Sequence, residues 1–378
     1  MKNDINTDAR VELALRRALI AAMTGTLLLA ATTSWAESAG MIKTSKGTAN
    51  IERNGQKLPA VIGASVEARD RIVTGADGAV GITLRDNTML SAGPNSVLDL
   101  NKFAFDTTTH AGALDASVKK GTLSVISGKL ARANPGGVNF STPTMTLGVR
   151  GTEFATEAGQ SAADLTGYLV DSSGNPVRAG SGACIHSGSW SAQMPGIGCD
   201  ATPDRVVLLP GPDGKAGAVV VRSAAGEKVL DSAYAGLEIS KAKLVERQED
   251  AASVQQRYGA TLGAQPPRPV SYTVNFASGS STELTDASKP IIEQIKVALA
   301  ARPVPEITVI GHTDRIGNAE ANDKLSLQRA EAVKDILLSA SVKASHVDVA
   351  GRGEREPLVA TADEVAEARN RRVEISVR

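Results

Sequence analysis

Aromatic residues are scarce in this chain: two Trp, four Tyr and five Phe make up 3% of 378 residues. That argues against stacking platforms for nucleic-acid bases and against the aromatic girdles of a membrane β-barrel. An excess of one charge is lacking too, with 41 Lys and Arg against 41 Asp and Glu. Nucleic-acid binding needs clustered positive charge, so no nucleic-acid partner is expected. Histidine occurs four times, as His110, His186, His312 and His346, in separate regions. No Gly-x-Ser-x-Gly elbow and no His-Glu-x-x-His pair occurs. The expectation is therefore no enzyme, no metal and no cofactor. His312 beside Asp314 could imitate an acid–base pair, but no nucleophile accompanies it.

Long hydrophobic runs are missing beyond the first 36 residues. The run Ala18–Ala31 follows Arg10, Arg16 and Arg17 and precedes Ser34, Trp35 and Ala36. A basic start, an apolar middle and small residues at the end predict an export signal over 1–36, cleaved after Ala36. The run is shorter than the roughly 20 residues of a spanning helix. No cysteine stands at the cleavage point, so a lipid anchor is not expected, and the surroundings of Arg16-Arg17 fit a twin-arginine signal poorly. The remainder is expected to be exported to the periplasm as a soluble protein.

Cysteine is limited to Cys184 and Cys199. In an oxidising compartment two such residues usually pair; two buried free thiols are the alternative. A metal site would need two more ligands besides the cysteines, and only His186 lies nearby.

What is present falls into three textures. Residues 37–157 carry short alternating runs, such as Thr48–Ile51, Ala79–Leu84 and Thr122–Ile126. Turn pairs such as Asn54-Gly55, Asp77-Gly78 and Gly136-Gly137 separate them, which predicts an all-β domain without helical periodicity. Residues 158–270 read as a linking region around the cysteines. In it, Val206–Leu209 and Ala218–Arg222 are expected to form a hairpin, and Leu237–Tyr258 could be helical. Gln265–Pro269 reads as a stiff extended connection and a domain boundary. Residues 271–378 alternate strand and helix: Tyr272–Phe276, Asp286–Ala301, Glu306–Gly311, Asn322–Ala340, His346–Ala350, a short helix near Ala362–Ala368, and Arg372–Val377. The pattern predicts an α/β sandwich of βαβαβ type, with one helical layer over one sheet.

In the second of these helices, Arg329 lies four positions from both Leu325 and Val333 and so faces inward. A buried guanidinium needs an anionic partner. Asp314 follows the Glu306–Gly311 strand, at the rim where α/β sheets bind ligands. Asn322 is placed at the helix start, where backbone N–H groups favour an anion. Together these suit a zwitterion, with Asp314 on an ammonium and Arg329 plus the helix start on a carboxylate. The same spacing also fits a structural Asp314–Arg329 salt bridge.

The run Gly311-His312-Thr313-Asp314-Arg315-Ile316-Gly317 is followed by Asn322, Leu325-Ser326, Arg329-Ala330, Gly351-Arg352-Gly353-Glu354, Pro357 and Asn370-Arg371-Arg372-Val373. This ordered set resembles the OmpA C-terminal-like domain. The resemblance implies non-covalent binding of peptidoglycan, with Asp314 and Arg329 clasping the free end of meso-diaminopimelate. Thr313, Asn322 and Arg371 fall on further motif positions. The chain departs in the spacing from Phe276 to Leu284, so contacts from the Ala277–Glu283 loop do not carry over. Charged hydrogen bonds contribute roughly 1.5–3 kcal/mol each, which suits modest single-site affinity raised by avidity on a polymer.

Leu58, Gly63, Asp70-Arg71-Ile72-Val73-Thr74-Gly75, Leu84-Arg85-Asp86, Pro94-Asn95-Ser96, Thr142-Pro143 and Val149-Arg150-Gly151-Thr152-Glu153-Phe154 resemble the FecR family. FecR proteins act in periplasmic signalling below an outer-membrane receptor. The anti-sigma segment and membrane helix of those regulators are not recognised here, so signalling across the inner membrane does not carry over. Arg150-Gly151-Thr152 reads as a strand-ending turn. The expectation is a wall tether that displays this domain; the alternative is a sensor or adaptor touching an outer-membrane receptor, another envelope protein or a polymer. The stretch Asp171–Arg178 with Gly182, Cys184, Trp190 and Cys199-Asp200 resembles a short disulfide-closed piece of some OmpA-type proteins. It reads as a clip or as a contact surface.

Overall fold

The computed structural model describes residues 38–159, 169, 171–172, 177–180, 185–188, 203–240, 243–276 and 283–378. The expected export signal, Cys184, Cys199 and nearly all of the Ala277–Glu283 loop lie outside the described residues.

The N-terminal region is strand-rich, and its strands fall into two leaves that share one member. In the first leaf, Ser38–Lys46 pairs with Ser65–Glu67 and with Ala79–Leu84, which leads through Met89–Ala92 to Gly112–Ile126. In the second, Ala49–Arg53 pairs with Gln56–Pro59 and Arg71–Thr74, which leads through Val97–Phe105 to the same Gly112–Ile126 strand. That 15-residue strand pairs in the second leaf up to Lys120 and in the first leaf from Gly121 onward. Gly121 has φ +79, and a Cβ there would lie 2.4 Å from the Ser96 hydroxyl, so glycine is required at the changeover. Side chains from both leaves, among them Ile42, Ile51, Ile72, Ile82, Leu98, Leu123 and Phe154, make one apolar core.

Residues 204–248 extend both leaves. Asp204–Leu209 pairs with Glu153–Ala158 and Ala235–Ser240, whereas Ala218–Ser223 pairs with Met145–Arg150 and Gly226–Leu230. The expected hairpin does not form: the Gly211–Gly214 turn passes the chain from one leaf to the other. Leu237–Tyr258 is not one helix either. It holds the end of one strand, the strand Lys243–Gln248, and only then the helix Ala251–Leu262, capped by the Asp250 side chain accepting from the Ser253 N–H. Alternation in Leu237, Ile239 and Leu244 outweighs the charge that suggested a helix. The helix lays Val254 and Tyr258 on Ala155, Val207 and Leu209. The N-terminal region also contains the short helix Lys129–Ala133, which strand periodicity did not indicate. A turn at Gly151, with φ +58, separates Met145–Arg150 from Glu153–Ala158.

The C-terminal domain is a four-stranded mixed sheet ordered Val270–Val274, Val373–Val377, Glu306–Gly311, His346–Gly351. Only the last pair is parallel. Helices Lys289–Ala300 and Ala319–Ser339 cover one face, burying Ile292, Ile295, Leu299, Val333 and Leu337 against Ile307, Val309, Val373, Ile375 and Val377. The expected helix at Ala362–Ala368 is absent. Glu364 has φ +58, and only Ala368–Asn370 forms a 3₁₀ turn. Buried Asn370 holds the segment by accepting the Val359 N–H and donating to its carbonyl, both at 2.8 Å.

The other face of this sheet carries Glu306, Thr308, Asp348, Glu374, Ser376 and Arg378. Such a row reads as solvent-facing, yet Glu306, Thr308, Ser376 and Arg378 are buried. Ser38–Arg378 forms one compact unit, and β-domain residues Lys43, Arg85 and Asn87 lie against this face.

Candidate functional site

The site forms where the Glu306–Gly311 strand ends. Gly311 and Gly351 close the two parallel strands, and both permit a close approach of the long helix. A Cβ on Gly311 would stand 1.9 Å from the Ser326 carbonyl, and one on Gly351 would stand 2.6 Å from the Leu327 nitrogen. The buried line of that helix is Asn322, Ser326, Ala330, Val333 and Leu337. Arg329 and Leu325 flank this line and are half-buried. Small Ser326 and Ala330 thus set the helix low over the strand ends, with Arg329 beside Asp314.

Asp314 is buried, and its Oδ2 takes the Arg371 Nη1–H at 2.7 Å and the Glu367 N–H at 3.3 Å. Arg371 is tied from behind, its carbonyl accepting from Asn275 Nδ2 at 3.0 Å. Arg329 forms no ion pair with Asp314 among the described contacts; Asp314's partner is Arg371. The Arg329 Nε and Nη1 are buried without a hydrogen-bond partner. Its guanidinium lies 5.9 Å from the Phe276 ring centroid, within cation–π range. Burial lowers the Arg329 pKa first, Arg371 lowers it further, and Asp314 opposes both. Arg371 takes up the Asp314 carboxylate, which leaves the Arg329 guanidinium without an anion of its own.

Asn322 is not at the helix start. Asn318 is the cap, its side chain accepting the Ala321 N–H at 2.8 Å. Asn322 lies one turn further in, buried, and donates to Glu354 Oε2 at 2.7 Å. It anchors the loop after Gly351, as does Ser326, whose hydroxyl accepts the Gly353 N–H at 2.9 Å. Thr313 is buried with an unpartnered hydroxyl, while its N–H donates to the Gly353 carbonyl at 2.9 Å. The structure thus brings Asp314, Arg329, Arg371 and Thr313 to one rim and gives Asn322 a loop-holding contact. Phe276, Glu354 and Glu367 complete the surroundings. Glu354 stands in the Gly351-Arg352-Gly353-Glu354 run and Phe276 in the Phe276–Leu284 spacing, but neither is assigned a role by sequence, and Glu367 is not singled out at all.

Among the described residues no group of His, Cys, Asp and Glu could hold a metal ion. None of the described helices is long and apolar enough to cross a membrane.

Comparison with known proteins matches residues 275–371 to the model described as OmpA family and residues 70–167 to that described as FecR protein. The probable lipoprotein YiaD of Escherichia coli is 30% identical over 141 residues, covering 37% of this chain and 62% of the relative. The peptidoglycan-binding protein ArfA of Mycobacterium tuberculosis is 36% identical over 94 residues, covering 25% and 29%. The chain therefore spans less than two thirds of either relative's length. A crystal structure of the peptidoglycan-associated lipoprotein from Burkholderia pseudomallei matches at 28% identity, 28% of this chain, 89% of that chain and a TM-score of 0.26.

Proposed function

With an OmpA-family domain at 275–371 behind a FecR domain at 70–167, we propose that the chain binds peptidoglycan non-covalently in the periplasm and tethers its FecR-type domain to the wall. The ligand is the free zwitterionic end of meso-diaminopimelate. Its carboxylate meets Arg329, and its ammonium meets Asp314 in the company of Arg371.

The observation that carries this reading is the guanidinium of Arg329, buried with two unpartnered nitrogens. Leaving a buried charged donor unsatisfied costs at least about 1–3 kcal/mol. An incoming carboxylate removes that cost and supplies the missing negative charge. Phe276 holds the guanidinium plane through its ring face without using any N–H, so the donors stay available. The name of the ArfA relative agrees with a peptidoglycan ligand.

The test is retention on purified sacculi. Asp314→Ala and Arg329→Ala should each be lost from the sedimented wall while keeping the circular dichroism of the parent. Parent-like retention of both variants would refute the pocket. Released muropeptides, absent after His312→Ala, would instead point to a hydrolase.

A further inference from the structure

Beside the turn that carries Asp314 lies one of the domain's contacts with the FecR-type region, made by Arg352. The side chains around that turn divide between two environments. Asp314 and Arg371 face the pocket, paired at 2.7 Å. His312 and Arg372 face the other way and are fully or almost fully buried. His312 feels Lys129 and His110 of the β-domain, together with Arg372 and Arg352 of its own.

Backbone bonds join the two environments directly. The His312 N–H donates to the Arg372 carbonyl at 2.9 Å, and the Arg352 N–H to the Gly311 carbonyl at 3.0 Å. Arg352 reaches across with Nη1 to the Thr107 carbonyl of the β-domain at 3.4 Å, while its Nε pairs with Glu356 at 2.9 Å. At the far end of the same sheet face, Lys43 pairs with Glu306 at 2.7 Å and donates to the Val304 carbonyl at 2.7 Å. Arg378 donates to the Arg85 carbonyl at 2.8 Å and pairs with Asp348 at 3.1 Å. Asn87 donates to the Ser376 hydroxyl at 3.2 Å.

This seam is made of charges and hydrogen bonds. Desolvation offsets most of what buried ion pairs gain, so a seam of this kind has a small net free energy. A ligand that stiffens the 311–314 turn can then shift it measurably.

We propose that the FecR-type domain, through Thr107 at one end of the seam and Lys43, Arg85 and Asn87 at the other, is a positioning element for the Asp314–Arg371 pair, so that docking of the two domains and occupation of the pocket strengthen each other. The proposal rests on the pocket assignment made above. Coupling between two binding events is reciprocal, so it is testable from either side.

From the ligand side, the unmodified protein is followed by amide hydrogen exchange with and without a saturating soluble muropeptide ending in meso-diaminopimelate. Exchange should slow near 311–329 and also around Thr107, Lys43 and Arg85–Asn87. Slowing confined to 311–329 overturns the coupling. Slowing at neither place overturns the pocket assignment instead.

From the seam side, Lys43→Glu should weaken retention on sacculi by about fivefold or more, the lower end of typical coupling. A folded Lys43→Glu protein retained like the parent overturns the proposal. Should Lys43→Glu fail to fold, the exchange experiment on the unmodified chain still decides. Loss of retention in Asp314→Ala, whose seam is intact, keeps the two readings separate.

Discussion

Arg329 and Arg378 are two arginines of one domain, on opposite faces of one sheet, and they differ in what surrounds them. Arg378 is 3% exposed, yet its guanidinium meets the Arg85 carbonyl, the Thr308 hydroxyl and the carboxylates of Asp348 and Glu306. Arg329 is only half-buried and has two unpartnered nitrogens. Of the Arg378 nitrogens only Nε lacks a hydrogen bond, and it stands 3.5 Å from the Glu306 carboxylate; a guanidinium surrounded in this way belongs to the architecture. One left short of an anion marks a place where something else binds. Partnership, more than depth, separates the two roles.

The comparison is broken most severely at the seam. Glu306→Ala leaves Lys43 buried without its carboxylate and should cost about 3 kcal/mol, as removal of one partner from a buried pair does. Chemical denaturation measures it, and a loss under a third of that value would show that water replaces the carboxylate.

Arg329→Ala should behave in the opposite manner. Retention on sacculi falls tenfold or more, taking about 1.5–3 kcal/mol for a charged hydrogen bond, while the thermal midpoint stays level or rises. A fall in the midpoint with retention intact would place Arg329 with Arg378 among the architectural residues.

Acid should loosen the seam more than the pocket. His110 and His312 are held down to about 3, by burial first and then by Arg352, Arg372 and Lys129, with Asp106 opposing at His110. Glu374 stands 3.9 Å from His312. Folded values below the ordinary 6.5 mean that the unfolded chain binds the extra protons. Their contribution to stability is thus whole above about pH 6.5 and is lost progressively as pH falls toward 3. His312→Gln should flatten the fall in thermal midpoint over that window; an unaltered profile would exclude His312 as a source.

The smallest effect is expected at Arg222, whose pair with Glu227 is about half exposed on both sides. Arg222→Ala should leave both the midpoint and retention unchanged.

Much of the C-terminal domain could be read in advance because its signals are local. Glu306–Gly311 falls on its expected bounds, and His346–Gly351 extends one residue past them. The long helix begins three residues early because Asn318, next to Gly317, is the residue whose side chain meets a free N–H. The short helix near Ala362 fails because the segment is held by Asn370 and the Arg315–Asp363 pair at 2.7 Å, long-range contacts with no periodic trace. Arg371's hold on Asp314 joins side chains 57 positions apart and was visible only as a motif letter. Least legible was the covered face of the sheet. Glu306, Thr308, Ser376 and Arg378 carry the pattern of a wet surface, and only the tertiary arrangement shows that another domain lies on it.

The strand Gly112–Ile126, hydrogen-bonded into both leaves, has a mechanical consequence. The covalent path from the C-terminal domain meets the β-domain at Gln265, whose side-chain amide donates to the Ser124 hydroxyl of that strand at 2.9 Å. A pull along that path falls on a member shared by two layers, where many rungs resist at once in shear instead of parting singly like a zip.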